Sequence, residues 1–202
     1  MEKSDSVYVK RSLGVVLFEV IAIVFGVVLG LWVGEWYEDR ERGEFVAESR
    51  RSMLDELGNN YAELVKARQY HLALLPKMIA DRDAQKQGLE PVPYAYRGFG
   101  TAKTTTAAYD TAVNASVFAY LDPADSRAIV NAYRAIEAMN TVDSRYRLAN
   151  AMAAGTGRFI DIVPIAFGDF LWAEDEAMQT IAPLIDEEAP EFWINEIEAS
   201  PY

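Results

Sequence analysis

The sequence predicts an all-α protein, with one N-terminal transmembrane helix followed by an extramembranous helical bundle. Three observations support this fold class. Residues 13–33 are almost entirely apolar, apolar residues recur every three or four positions along most of the remaining chain, and no segment alternates as a strand would. We therefore predict an N-terminal tail over residues 1–12, a transmembrane helix over 13–36 and a helical-bundle domain over 37–202.

The apolar run over residues 13–33 is long enough to cross a bilayer. As a helix it measures about 32 Å, close to the roughly 30 Å thickness of the hydrocarbon core. Glu19 is its only charged residue, and 15 of its 21 residues are Leu, Ile, Val or Phe. A cleaved signal peptide has a shorter apolar region and a small-x-small cleavage site, so we predict an uncleaved anchor. Amphipathic rings mark its far interface: Trp32, Trp36 and Tyr37.

Small residues and one carboxylate follow one face of this helix. At 100° per residue they fall within a single stripe, here named the docking stripe: Glu19, Ala22, Gly26, Gly30 and Gly34. Small residues let a second helix backbone come close, and in lipid such packing is a main source of helix association. The stripe therefore predicts a helix-packing surface, although a glycine-rich span that simply turns in lipid is the plainer alternative.

Glu19 lies about 9 Å inside the span, and its short stem does not reach water easily. Because it belongs to the docking stripe, we expect it to pair with, or hydrogen-bond to, a partner helix. A sharper alternative is a proton relay in an ion-driven machine.

The charge balance and the lack of cysteine exclude several function classes. The chain has 31 acidic and 19 basic residues, a net charge of -12, and nucleic-acid binding requires a basic face. No cysteine is present, which excludes disulfides, thiolate nucleophiles and cysteine metal sites. Basic residues flank both sides of the span, so their count does not set the orientation. A short basic tail before a large domain favours a bacterial inner-membrane protein with a cytoplasmic N-terminus and a periplasmic domain.

Beyond the span the apolar spacing predicts helices over 37–86, 104–113, 123–153 and 165–188, with a loop over 87–100. Asp122 before Pro123 is a helix start signal. Gly43, Gly58 and Pro76 are predicted bends. The residues predicted to face the core are Phe45, Val46, Met53, Leu57, Tyr61, Leu64, Leu72, Leu75, Ile79, Ile129, Tyr133, Ile136, Met139, Phe167, Phe170, Leu171, Met178, Ile181 and Ile185.

No catalytic or metal motif emerges from the sequence. His71 lacks a second histidine for a metal pair, so we expect a surface or boundary position for it. The acidic clusters 174–176 and 186–188 lack calcium-loop spacing and are interpreted as solvated faces. P-loop, nucleophile-elbow and zinc-protease motifs are absent. We predict no enzyme activity, no metal and no cofactor.

Several short patterns resemble those of a bacterial protein family. The stretches GEWYEDR, TTAAYDTAVNAS and MLDELGNN are similar to those of uncharacterised single-span membrane proteins with a helical domain of unknown function. Glu19, Trp36 and Arg40 occupy positions that match the family's pattern, whereas Gly30 and Gly34 depart from it. The resemblance implies the architecture predicted above and no activity.

These patterns predict a non-enzymatic, membrane-anchored accessory or scaffold subunit. Its partners would be the lipid bilayer and other membrane protein subunits, reached through the docking stripe. One alternative is a homo-oligomeric periplasmic sensor or binding protein; a less favoured one is a proton-relay subunit using Glu19. The sequence does not identify the complex.

Overall fold

The computed structural model describes residues 13–90, 93, 95–153 and 159–193. Across these residues the chain is all-helical and has no strand, so the all-α part of the predicted fold class is confirmed. The α-helices are α1 (Leu13–Lys86), α2 (Ala107–Asn114), α3 (Pro123–Ala153) and α4 (Phe159–Ile181), with 3-10 helices at Val117–Ala119 and Ala182–Leu184.

The chain divides into two compact units after Ala47. The first contains the apolar part of α1, where an 18-residue window has a mean hydropathy of 2.7 and none of it is buried. One helix is therefore long and apolar enough to cross a membrane. Within α1, Gly43, Gly58 and Pro76 lie at helical positions.

The second unit contains the rest of α1 together with α2, α3 and α4, and it has a hydrophobic core. Phe167 and Phe170, both fully buried, lie at the centre of one core cluster. Burial of each ring removes enough apolar surface from water to contribute about 1.5–3 kcal/mol. The other buried members of this cluster are Leu74, Leu75, Met78, Phe99, Val163, Ala166 and Leu171.

Most of the predicted core positions are buried or half-buried, and two predictions are wrong. Phe45 and Ile79 are 48% and 37% exposed. Phe45 precedes Glu48, where the second unit begins. At the other end of α1, the neighbouring Leu75 and Met78 are buried at 3% and 1% exposure, and Ile79 is rotated 100° from Met78.

The predicted helix over 104–113 begins three residues later than expected, because a side chain from α1 binds the chain before it. The Asn60 amide donates to the Thr105 carbonyl at 2.8 Å, and the Thr105 N–H donates back to Asn60 Oδ1 at 2.9 Å. Both backbone groups of Thr105 are therefore occupied outside a helix. The α3 start is as predicted, since Asp122 Oδ1 accepts the Ala124 N–H at 2.7 Å and caps the helix.

The last helix also differs from its predicted range of 165–188. It begins at Phe159 because Val163, Ala166 and Phe167 are all buried in the core, which stabilises a helical turn around Pro164. It ends at Ile181, where Pro183 disfavours α-helical backbone in the residue before it. A 3-10 turn follows, and Asp186 adopts a left-handed φ of 56° that ends the helical path.

Candidate functional site

The docking stripe lies on α1 in the first unit, and all five of its residues are exposed. A Cβ placed on Gly26, Gly30 or Gly34 would meet no described atom within 4 Å, apart from the helix's own local backbone and chain neighbours. Glycine inside a helix is less favourable than alanine by roughly 0.5–1 kcal/mol. Packing within the described chain therefore does not account for these glycines.

The three predicted interface anchors are also exposed. Trp32, Trp36 and Tyr37 have 64%, 56% and 57% of their surface accessible. Rings of this kind are favoured where the apolar and aqueous parts of a membrane meet. That these three rings anchor the helix at a membrane interface stays a prediction.

A buried polar group joins α1 to α4 in the second unit, and it overturns two predictions. His71 is fully buried, not at the surface, and Glu174 is 1% exposed, not on a solvated face. His71 Nδ1 lies 2.9 Å from Glu174 Oε2, and His71 Nε2 lies 2.5 Å from the Phe99 carbonyl. Four aromatic rings lie around the imidazole or near it: Tyr70, Phe99, Phe167 and Phe170.

These contacts determine how many protons the pair holds. The Phe99 carbonyl accepts only, so His71 Nε2 carries a hydrogen. The contact between Nδ1 and Glu174 Oε2 needs one further hydrogen. The pair is therefore neutral in total, either as imidazolium with carboxylate or as imidazole with carboxylic acid. Burial is the main cause that raises the pKa of Glu174, with Asp175 raising it further and His71 and Arg68 opposing.

Glu174 Oε1 is buried without a hydrogen-bond partner among the described residues. A carboxylate oxygen left in this state is costly, which favours the protonated acid. Because neither side chain of the pair is more than 1% exposed, a substrate cannot reach them in this conformation. The pair joins α1 to α4.

A second buried pair secures the chain after α4. Arg68 Nε donates to Asp175 Oδ1 at 2.5 Å, and the two side chains are 8% and 0% exposed. Arg68 Nη2 donates to the Glu191 carbonyl at 2.7 Å, while Asp175 Oδ2 accepts the backbone N–H of Trp193 at 2.6 Å. Asp175 therefore does not belong to a solvated face either, whereas Glu176 next to it is exposed.

A third buried contact orients α2 and α3. The Tyr133 hydroxyl donates to Glu56 Oε1 at 2.7 Å, and Glu56 Oε2 accepts the Ala108 N–H at 3.1 Å. Burial and the hydrogen bond to Glu56 raise the pKa of Tyr133. The Tyr133 ring stacks on Tyr109 at 4.5 Å between centroids.

Next to these rings, α2 and α3 form a cleft of about 300 Å³. Three of its lining side chains are charged, namely Asp110, Arg134 and Glu137. The remaining lining residues are Thr106, Tyr109, Tyr133 and Asn140. Among the described residues, no group of three or more metal-ligating side chains could hold an ion.

The chain matches no protein-family model, no curated protein and no solved structure. The resemblance to single-span bacterial membrane proteins therefore stays a prediction.

Sequence reasoning missed the buried pair, although a usable signal existed. His71 lies seven residues after Leu64 and seven before Met78, and all three are buried on one face of α1. Glu174 likewise lies seven residues from both Phe167 and Ile181. Positions seven apart share a helix face, so both polar residues interrupt an apolar stripe.

Proposed function

We propose that this protein is a non-enzymatic accessory subunit, held in a membrane by residues 13–36 and docked to another membrane protein through the docking stripe. The observation that carries this proposal is the apolar window in α1, of which the chain itself buries none. The core helix of a soluble protein buries such a surface within its own fold. Here a lipid bilayer would remove it from water.

The location of the glycines supports docking in addition to anchoring. Gly26, Gly30 and Gly34 are open on the side where a Cβ would project, and they are spaced four apart on one helix face. A neighbouring helix backbone can come close at such a surface. Glu19 lies on the same stripe, so its carboxyl could contact a polar group of the partner helix.

Residues 37–202 would form a helical bundle outside the membrane, in the periplasm of a bacterium, with the N-terminus in the cytoplasm. The occupant of the docking stripe is a helix of a different membrane protein. The protein would act by contact and would not need a cofactor.

Site-specific photo-cross-linking in native membranes tests this proposal. A photo-reactive residue replaces Val33, which borders the docking stripe, or Val28, which lies on the opposite face about 160° from Gly30. Both valines lie in the span and are similarly exposed, at 50% and 58%. We expect Val33 to yield a covalent product with a different membrane protein and Val28 to yield lipid adducts.

Substitutions provide the matched control. Gly30→Leu should abolish the Val33 product, whereas Val28→Leu should leave it unchanged. Equal labelling at both positions would contradict the docking stripe. A product of doubled mass at Val33 would instead indicate a homo-oligomer.

Glu19→Gln tests the proton-relay alternative. Glutamine keeps the hydrogen-bonding capacity of the side chain and removes its titration. For a packing role we expect the Val33 product to persist and proton-driven activity in the membranes to be unchanged. Loss of such activity with the product intact would favour the relay.

A further inference from the structure

The cleft between α2 and α3 has charged groups that are not paired with one another. The Arg134 side chain has no ion pair or hydrogen bond to any part of the chain that the structure describes. The Glu137 carboxylate has none there either, since the Thr141 hydroxyl donates to the Glu137 backbone carbonyl. Asp110 Oδ2 accepts one hydrogen bond, from the Thr106 hydroxyl at 2.9 Å. The cleft therefore presents two carboxylates and one guanidinium with unused capacity.

Arg134 and Glu137 do not pair with each other, although opposite charges elsewhere on the same helix do. Arg134 and Glu137 are three residues apart on α3, a spacing at which opposite charges meet on a helix face. Farther along α3, Arg147 pairs with Asp143 at 2.7 Å. In the cleft the corresponding charges remain apart, and about 300 Å³ of open space lies among them.

We infer that this cleft binds an α-amino acid with a basic side chain, such as lysine. Two carboxylates and one guanidinium complement a ligand with two ammonium groups and one carboxylate. The fork of Arg134 suits bidentate binding of a carboxylate, while Asp110 and Glu137 receive the ammonium groups. The stacked rings of Tyr109 and Tyr133 provide an apolar wall for the aliphatic stem.

The size and location of the cleft agree with this ligand class. Small-ligand sites start at about 300 Å³ and combine apolar walls with a few convergent polar groups. Tyr133 is 3% exposed and is held by its hydrogen bond to Glu56 at 2.7 Å, so the wall is rigid. This inference goes beyond the docking role and does not depend on it.

Isothermal titration calorimetry tests the inference. The full chain in lipid nanodiscs is titrated with L-lysine and with three analogues. Cadaverine lacks the carboxylate, 6-aminohexanoate lacks the α-ammonium group, and norleucine lacks the side-chain ammonium group. We expect L-lysine to bind with a Kd below roughly 1 mM. Each analogue should bind about fivefold more weakly or worse, as expected for loss of one partly solvated charge pair.

Variants assign the charges to their partners. Arg134→Gln should weaken L-lysine about fivefold while leaving cadaverine, which has no carboxylate, unchanged. Glu137→Gln should weaken both L-lysine and cadaverine. Arg145→Gln on the same helix, outside the cleft, is the matched control and should leave all four affinities unchanged.

Two results would overturn the inference. One is the absence of L-lysine binding at roughly 10 mM in a chain whose circular dichroism shows it to be folded. The other is that L-lysine and cadaverine bind with equal affinity and that Arg134→Gln changes neither affinity. That result would indicate an acidic surface that attracts any cation.

Discussion

The two parts of α1 differ in whether the rest of the chain covers them. From Val15 to Phe45 every residue is exposed, and the large apolar side chains there lack burial within the described chain. From Met53 to Met78 the same helix has a buried face. Its buried face includes His71 and Arg68, polar residues that a membrane span rarely contains.

This difference shows that apolar content alone does not predict burial within the fold. Residues 15–33 of α1 include one charged residue, Glu19, and are all exposed. Residues 53–78 include six Asp, Glu, Lys or Arg residues, yet they contribute a buried face to the second unit. Periodicity distinguishes the two. The buried part repeats its apolar residues on one face, as an amphipathic helix does, whereas residues 20–33 are apolar on all sides, a pattern typical of a membrane span.

The strongest test of this contrast compares two phenylalanines. Phe167 is fully buried, and Phe25 is 64% exposed. Phe167→Ala should lower the unfolding free energy of the second unit by about 3–5 kcal/mol through lost burial and a cavity, whereas Phe25→Ala should change it by less than about 0.5 kcal/mol. Urea unfolding of the full chain in nanodiscs, followed by circular dichroism, measures both. Similar losses in the two variants would contradict the division into two units.

The buried pair provides the second test. His71→Leu leaves the buried Glu174 without its hydrogen-bond partner and should cost about 1–3 kcal/mol. The double variant His71→Leu/Glu174→Leu removes both polar groups, so much of that loss should be recovered. Glu176→Leu on the exposed side of α4 serves as control in the same unfolding measurement. Failure of the double variant to recover any stability would mean that the pair is worth more than its apolar replacement.

A third test compares two glycines. Gly100 has a φ of 64°, and a Cβ there would lie 2.5 Å from Tyr70 Cε1. The Tyr70 hydroxyl donates to the Gly98 carbonyl at 2.8 Å, which limits movement of the ring. Gly100→Ala should therefore cost about 1–3 kcal/mol.

Gly30→Ala is the matched change, because a Cβ at Gly30 meets open space. It should leave the unfolding free energy unchanged or raise it by up to about 1 kcal/mol. Gly30→Ala should instead lower the yield of the cross-linked product at Val33. A large loss of stability from Gly30→Ala would show that the first unit packs against its own chain.

A change of pH should alter the stability of the second unit gradually. Burial raises the pKa of Glu174 above its usual value in the folded protein, so the folded state keeps a proton that the unfolded state releases. This contribution is complete below the unfolded pKa of Glu174 and is lost as pH rises through the folded pKa. Stability should therefore fall with rising pH, by at most about 1.4 kcal/mol per pH unit for one proton.

Glu174→Gln is the control for this pH dependence. Its amide can donate to His71 Nδ1 as the protonated acid does, and it does not titrate. The unfolding free energy of the variant, measured by urea unfolding at a series of pH values, should fall less steeply with rising pH than that of the wild type. An unchanged slope would assign the pH dependence to groups other than Glu174.

Much of the structure of the second unit could be predicted from local sequence patterns. The stripe Ile129, Tyr133, Ile136 and Met139 is buried as the three-and-four spacing predicts, and Asp122 caps α3 as its residue type predicts. The ends of α2 and α4 could not be predicted in this way. The start of α2 depends on Asn60, 45 residues away from Thr105, and no window of neighbouring residues contains that contact.

The sequence by itself determined the helical class and the existence of one apolar segment long enough to span a membrane, because both follow from short-range periodicity and length. Only the tertiary structure decided which polar side chains lie inside. Glu174 and Glu176 are two residues apart on one helix, yet the first is buried against His71 and the second is exposed. Their difference arises from the helix that packs on one side of α4, since burial of a carboxyl requires a partner that the local sequence does not contain.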